Sequence, residues 1–96
     1  MIDMKNLSRL KKLDENAPAA TKAFWAFNDA AFAEGALTVQ QKQLIAVAVA
    51  LTTQCPYCIE LHTKDARDAG ATSQQLAEAA LVAAAIRAGG TQRPQR

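Results

Sequence analysis

The sequence predicts one all-helical domain, a bundle of about five helices, and three observations support this. Of the 96 residues, 22 are alanine, the residue with the highest helix propensity. Apolar residues recur at three- and four-residue spacing, and no segment alternates as a half-buried strand does. Proline and glycine fall where these segments begin or end. We expect residues 1–90 to form the domain and residues 91–96 to be a disordered tail.

The first two helices are predicted on either side of a proline. A short amphipathic helix is indicated by leucine at every third position, namely Leu7, Leu10 and Leu13. Pro18 ends this pattern and suits the first turn of a second helix, where its missing N–H costs nothing. That helix should run to Glu34, with Gly35 as its C-terminal stop.

The third helix is expected to be central and buried. Thr38 is a favourable N-cap, and a polar turn follows it. Residues 44–51 are then apolar on all sides. A run of eight such residues could also be a buried strand, but its alternating alanines and polar lead-in favour a helix.

Two more helices complete the predicted bundle. The fourth should begin at Pro56 or the residue after it and end before Gly70. Thr72 and Gln75 have the spacing of a capping box, which predicts the start of a fifth helix. The glycine pair at positions 89 and 90 is expected to end that helix.

Composition limits the classes of function. A net charge of +2 is too small to indicate a nucleic-acid partner. No charged-then-apolar leader is present at the N-terminus, and the longest apolar run, residues 44–51, is far too short to span a membrane. We therefore expect a cytoplasmic protein with no membrane or nucleic-acid partner.

Alanine makes up nearly half of the apolar residues, so this small chain has few large side chains to bury. We expect helix faces left over for copies of the same chain, that is, a homo-oligomer. The aromatic residues of the second helix, Trp25, Phe27 and Phe32, could line a pocket, although such residues more often belong to a core or an interface.

The chemistry-bearing residues fall within eight positions. Cys55 and Cys58 form a Cys-x-x-Cys pair at the predicted start of the fourth helix, where backbone N–H groups and the helix dipole favour a thiolate. His62, the only histidine, follows Cys58 by four residues and so shares its helix face. An imidazole there can accept the thiol proton, directly or through a water.

Two other interpretations of this cluster remain open. Zinc binding would use the same three side chains, but a structural zinc site needs four ligands, so an oligomer would have to supply the rest. Alternatively, the thiols are inert and the histidine is structural. We expect no cofactor and no resident metal.

These residues resemble the alkylhydroperoxidase D-like branch of the carboxymuconolactone decarboxylase family. The likeness covers roughly residues 24–90 and is strongest from Leu37 to His62. The family motif is Glu, eleven residues, Cys-x-x-Cys, three residues and His. Both cysteines and the histidine match it in type and spacing, and the family is all-helical, commonly trimeric or hexameric.

The resemblance implies a role for each matching residue. Cys58 resembles the cysteine that attacks a peroxide, Cys55 the one that then closes the disulfide, and His62 a member of the proton relay. The position of the family glutamate is Gln43, whose amide cannot take up a proton near neutral pH. In one straight helix, positions 43 and 55 would lie about 18 Å apart, so the relay needs a bend, a returning helix or another subunit.

The sequence therefore predicts an antioxidant oxidoreductase, a thiol-dependent peroxidase or disulfide reductase using Cys55, Cys58 and His62, with Gln43 at the relay position. Its expected partners are a hydroperoxide or small disulfide and a dithiol or thioredoxin-like reductant. A low-turnover redox-sensing or partner-binding oligomer is the main alternative, because the relay glutamate is replaced. A zinc-binding structural protein is a minor one.

Overall fold

The computed structural model describes the backbone of residues 2–92 and the side chains of residues 2–90. This part of the chain is helical and contains no strand, which confirms the predicted fold class. A 3₁₀-helix over Met4–Leu10 precedes five α-helices: α1 Lys11–Asn16, α2 Pro18–Phe32, α3 Val39–Thr53, α4 Pro56–Asp68 and α5 Ser73–Gln92.

The core lies where α3 packs against both α4 and α5. Its buried residues are Val47 on α3, Ala66 on α4 and Ala71 in the following loop, with Leu44 and Leu76 packed against them. Ala66 is fully buried, and its small side chain allows α3 and α4 to approach closely. Helix α3 is thus central to the bundle, as predicted.

The starts of α3 and α5 follow the predicted capping chemistry. At α3, the Thr38 hydroxyl accepts from the Gln41 backbone N–H at 3.0 Å, and the Gln41 side-chain oxygen accepts from the Thr38 N–H at 2.9 Å. Thr72 and Gln75 make the same reciprocal pair, at 3.1 and 2.8 Å. Each box satisfies two N–H groups that a helix start leaves without partners.

A tight reversal joins α3 to α4. Gln54 adopts the left-handed conformation, with φ 56° and ψ 43°. The N–H of Cys55 then donates to the Ala50 carbonyl at 3.2 Å, and Pro56 opens α4. Helix α4 returns antiparallel to α3, since Gln40 near the start of α3 donates to the carbonyl of Ala69 beyond the end of α4, at 3.1 Å. A left-handed residue other than glycine costs about 1–2 kcal/mol, so packing must maintain this turn.

The prediction that α2 runs to Glu34 and stops at Gly35 was wrong. The helix ends at Phe32, and Ala33 is extended, with ψ 151°. Other groups hold the segment that follows: Glu34 accepts from the Val39 N–H at 3.0 Å, and Lys42 donates to the Ala33 carbonyl. A residue that the sequence pattern assigned to α2, Glu34, thus provides a hydrogen-bond acceptor for a backbone N–H at the start of α3.

The glycine pair at positions 89 and 90 does not end α5, which continues to Gln92. Glycine retains its backbone N–H and costs only about 1 kcal/mol relative to alanine in a helix, which the alanine-rich turns before it can offset. Of the predicted tail, residues 93–96 lie outside the described part of the chain. The first predicted helix is also divided, because its leucines span the 3₁₀-helix and α1.

Much of the apolar surface is uncovered in a single chain. Helix α3 buries only Gln43, Val47 and Ala50, so the prediction of a buried helix was wrong for the isolated chain. The radius of gyration is 15.6 Å, compared with about 12.5 Å for a compact domain of this length. Large apolar side chains are exposed on several helices, among them Phe24, Phe27, Val49, Leu81, Val82 and Ile86.

None of the helices within residues 2–92 combines the length and the hydropathy needed to cross a bilayer.

Candidate active site

The two cysteines occupy the first turn of α4. Cys55 is the N-cap, and its Sγ accepts from the backbone N–H of Cys58 at 3.3 Å. The two Sγ atoms are joined as a disulfide, with Cα atoms 5.3 Å apart. The Cys-x-x-Cys pair therefore lies at a helix N-terminus, as predicted, where backbone N–H groups stabilise a thiolate once the pair is reduced.

The hairpin of α3 and α4 brings Gln43 and His62 together. The Nδ1 of His62 lies 2.8 Å from the Oε1 of Gln43. Gln43 is 8% exposed and is the only buried polar residue in the part of the chain described. Of the three routes that the sequence left open for joining position 43 to the cysteine motif, the fold uses the returning helix.

This hydrogen bond constrains the imidazole. With the amide oxygen of Gln43 facing the ring, that oxygen can only accept, so the tautomer that fits carries its hydrogen on Nδ1 and donates a hydrogen bond to Gln43. The other ring nitrogen, Nε2, is then left with the lone pair that can accept a proton. A carboxylate of Asp65 also lies 4.0 Å from Nδ1, on the same helix. Asp65 was not among the residues predicted from the sequence. Its position three residues after His62, on the same helix face, could have identified it.

Phe32, the last residue of α2, fixes the imidazole from a third side. Its ring stacks on that of His62 with centroids 5.2 Å apart and planes at 9°. Gln43 restrains the edge of the imidazole, and Phe32 restrains its face. Three helices therefore orient one histidine.

A cavity of about 460 Å³ opens between α2, α3 and α4, beside this histidine. Of the two cysteines, Cys58 lines it, and His62 lines the same space. Its other walls are mainly apolar: Ala31, Phe32, Leu37, Lys42, Ile45, Ala46, Val49, Ala50 and Thr53. A cysteine sulfur and an imidazole thus share a concave apolar site, the usual character of a small-molecule pocket.

The remaining aromatic residues lie elsewhere. Trp25 lines a separate groove with Leu10 and Leu13, and Phe27 is 71% exposed. The hydroxyl of Tyr57, inside the Cys-x-x-Cys, accepts from the Asn6 side chain at 3.3 Å. Only Phe32 of the three aromatic candidates therefore lines the cavity.

The zinc-binding alternative requires a set of metal ligands. No group of three or more His, Cys, Asp or Glu side chains in the described part of the chain is arranged to hold a metal ion.

Two bacterial proteins are similar in sequence. An uncharacterized protein of the cox locus of Paracoccus denitrificans is 60% identical over 67 residues, which cover 70% of this chain and 60% of that protein. An uncharacterized protein of Cupriavidus necator is 42% identical over 66 residues, covering 69% and 58%. The matched stretch thus spans about three fifths of each relative's length.

Solved structures share the fold. A carboxymuconolactone decarboxylase family protein from Legionella pneumophila superposes with a TM-score of 0.79 at 32% identity, covering 83% of this chain and 71% of the other. A protein from Methanobacterium thermoautotrophicum gives a TM-score of 0.78 at 41% identity, covering 83% and 90%.

The sequence profile of one family covers most of the chain. Residues 18–93, a range that begins with α2 and includes all of α5, match the profile named Carboxymuconolactone decarboxylase family. This range contains the cysteine pair, His62 and Gln43. The chain belongs to the carboxymuconolactone decarboxylase family.

Proposed function

We propose that this protein is a thiol oxidoreductase of the alkylhydroperoxidase D-like branch, which reduces a hydroperoxide or a small disulfide with the Cys55–Cys58 dithiol. One observation carries the proposal: Cys58, which forms a disulfide with Cys55, lines the same apolar cavity as His62. A nucleophile, a base and a resolving thiol are the groups that this chemistry requires.

The peroxidase reaction balances with these groups. The Cys58 thiolate attacks the terminal peroxide oxygen, the O–O bond breaks, and Cys58 becomes a sulfenic acid. The alkoxide that leaves takes up a proton and becomes an alcohol. The Cys55 sulfur then attacks the sulfenic sulfur, water leaves, and the disulfide forms. The peroxide has gained two electrons, and the two thiols have lost them.

His62 moves the proton in this scheme. Its Nε2 accepts the proton of the Cys58 thiol and returns it to the alkoxide. Gln43 cannot exchange that proton, but its hydrogen bond to Nδ1 keeps Nε2 available. We assign Gln43 and Phe32 as positioning residues.

The cycle closes with a second dithiol. Its thiolate attacks the Cys55–Cys58 disulfide, and the resulting mixed disulfide is resolved by its other thiol. A thioredoxin-like protein is one such reductant, and the reducing conditions of the cytoplasm would sustain the cycle.

A low-turnover redox sensor is the second candidate, because an amide occupies the position of the family glutamate. A steady-state assay separates the two. The pre-reduced protein is supplied with hydroperoxide and excess dithiothreitol, and peroxide loss is followed. Many turnovers per chain are expected for the enzyme. Disulfide formation that stops after one equivalent would instead establish the sensor.

We predict that Gln43→Glu raises the peroxidase rate near neutral pH by about tenfold. A carboxylate within hydrogen-bond distance of Nδ1 stabilises the imidazolium and so makes Nε2 a stronger base. The steady-state assay is repeated across a range of pH values.

Gln43→Met is the matched control, since it keeps the volume and removes the acceptor. It should slow the reaction, and a thermal melt of both variants checks that burial of the new side chain is tolerated. No gain for Gln43→Glu at any pH would remove position 43 from the relay.

We further propose that the working form is a homo-oligomer, a trimer or a hexamer. Leu81, Val82 and Ile86 on α5 are 61–70% exposed, which is costly for a monomer. Light scattering should give a multiple of the 10.3 kDa chain mass, and Leu81→Glu with Ile86→Glu should reduce that mass. A monomer at micromolar concentration would contradict this.

A further inference from the structure

The size and the lining of the cavity indicate what kind of substrate it binds. Its volume of about 460 Å³ lies in the range of roughly 300–1,000 Å³ typical of small-molecule sites. A solute of the size of water occupies only about 30 Å³. Hydrogen peroxide would leave most of these apolar walls in contact with water.

One lining residue, Lys42, has a cationic side chain. Lys42 is half-buried on the first turns of α3, and its ammonium group donates to the Ala33 carbonyl. An ammonium group has three donor hydrogens, so two remain for another acceptor. Every other lining residue is uncharged apart from His62, whose charge depends on protonation.

Among the described residues, the ion pairs are those of His62 with Asp65 and of Lys64 with Asp68. Neither includes Lys42. Glu34, in the loop beside it, uses a carboxylate oxygen to accept from the Val39 N–H. A partly buried cation at the edge of an apolar space is stabilised by an anion that enters the space.

Along α3, Lys42 lies one residue before Gln43, so it is nearly level with His62, and Cys58 is the more distant of the two reactive groups. The lining residues of α3 extend from Lys42 to Thr53, a length of about 16 Å along the helix. His62 is level with Gln43, and Cys58 lies one turn further towards the end of α3. An apolar chain that runs from Lys42 along α3 and past Cys58 would contact Phe32, Ile45 and Val49.

We infer that the substrate of this site is an amphipathic anion, a carboxylate on an apolar chain that carries the hydroperoxide, and that Lys42 binds the carboxylate. The inference rests on the proposed function for the redox step, in which Cys58 and Cys55 reduce the hydroperoxide to an alcohol and water. Binding of the anion itself requires no redox chemistry.

The test compares acid and ester forms of one compound. Linoleic acid hydroperoxide and its methyl ester are reduced by the wild type, by Lys42→Met and by Lys42→Arg. The wild type should prefer the acid by about tenfold in kcat/KM, the size expected for a charge-assisted hydrogen bond. Lys42→Met should lose this preference, and Lys42→Arg should keep most of it.

The ester controls for the structural role of Lys42. If Lys42 merely holds the loop at Ala33, Lys42→Met will slow acid and ester alike, and the inference fails. An equal rate for acid and ester in the wild type would overturn it as well.

A binding measurement separates this inference from the proposed function. Calorimetry with octanoate and with methyl octanoate, on the disulfide form, requires no peroxidase activity. Octanoate should bind about tenfold more tightly than its ester, and Lys42→Met should abolish the difference. Lys42-dependent binding without peroxide reduction would refute the proposed function alone. Equal binding of the two compounds would refute the carboxylate site alone.

Discussion

Cys58→Ser should abolish hydroperoxide reduction, with a loss of about 10³-fold or more, because a serine hydroxyl is not ionised at neutral pH and forms no sulfenic acid. The sulfur and the oxygen differ little in size, so the helix start should be retained. The measurement is peroxide loss under excess dithiothreitol, with helicity checked by circular dichroism.

Cys55→Ser is the matched control, and it distinguishes the two cysteines. It removes the resolving thiol but keeps the one that lines the cavity. With the pre-reduced variant and no added reductant, we expect one equivalent of peroxide to be consumed rapidly and the resulting Cys58 sulfenic acid to be trapped by a dimedone reagent. If Cys58→Ser instead still consumed one equivalent of peroxide rapidly, the roles assigned to the two sulfurs would have to be exchanged.

The second large effect is expected from His62→Gln, which should slow the first oxidation step by about 10²-fold at neutral pH, the usual contribution of a general base. Glutamine can still hydrogen-bond to Gln43 but cannot accept the thiol proton. The rate is best measured as single-turnover oxidation of the reduced protein by stopped flow.

The pH dependence separates a base from a structural residue. In His62→Gln the rate should recover at high pH, where the thiol ionises without help, and approach that of the wild type. A uniform loss at all pH values would indicate damage to the cavity. Phe32→Leu serves as a control for the cavity wall, since it removes the stacked ring but leaves the base.

Local chemistry made most of the fold predictable. The caps at Thr38 and Thr72 and the prolines at positions 18 and 56 fix helix starts through groups close in sequence. Helix ends were predicted less well. Where α2 ends depends on the contacts of Glu34 and Lys42 with neighbouring backbone groups, and α5 crosses two glycines because their cost is small.

The cysteines and His62 could be identified from sequence because each follows the one before it by three or four residues, about one helix turn. The arrangement around them could not, because it depends on how helices return. Gln43 reaches His62 only after the left-handed turn at Gln54, and Phe32 arrives from α2. Lys42 had no local pattern that distinguished it from an ordinary surface lysine.

What covers the exposed apolar surface could not be predicted from the sequence. Periodicity identified α3 as apolar on all sides but could not tell whether the same chain or another copy covers each side. In the single chain, Ile45 and Val49 on α3 remain about half exposed and form part of the cavity wall.

The most direct test is a single turnover without added reductant. The fully reduced protein is mixed with one equivalent of linoleic acid hydroperoxide, and thiols, alcohol and disulfide are quantified. We expect both thiols of each chain to disappear together while one alcohol and one Cys55–Cys58 disulfide form per chain. Unreacted thiols with intact hydroperoxide would contradict this.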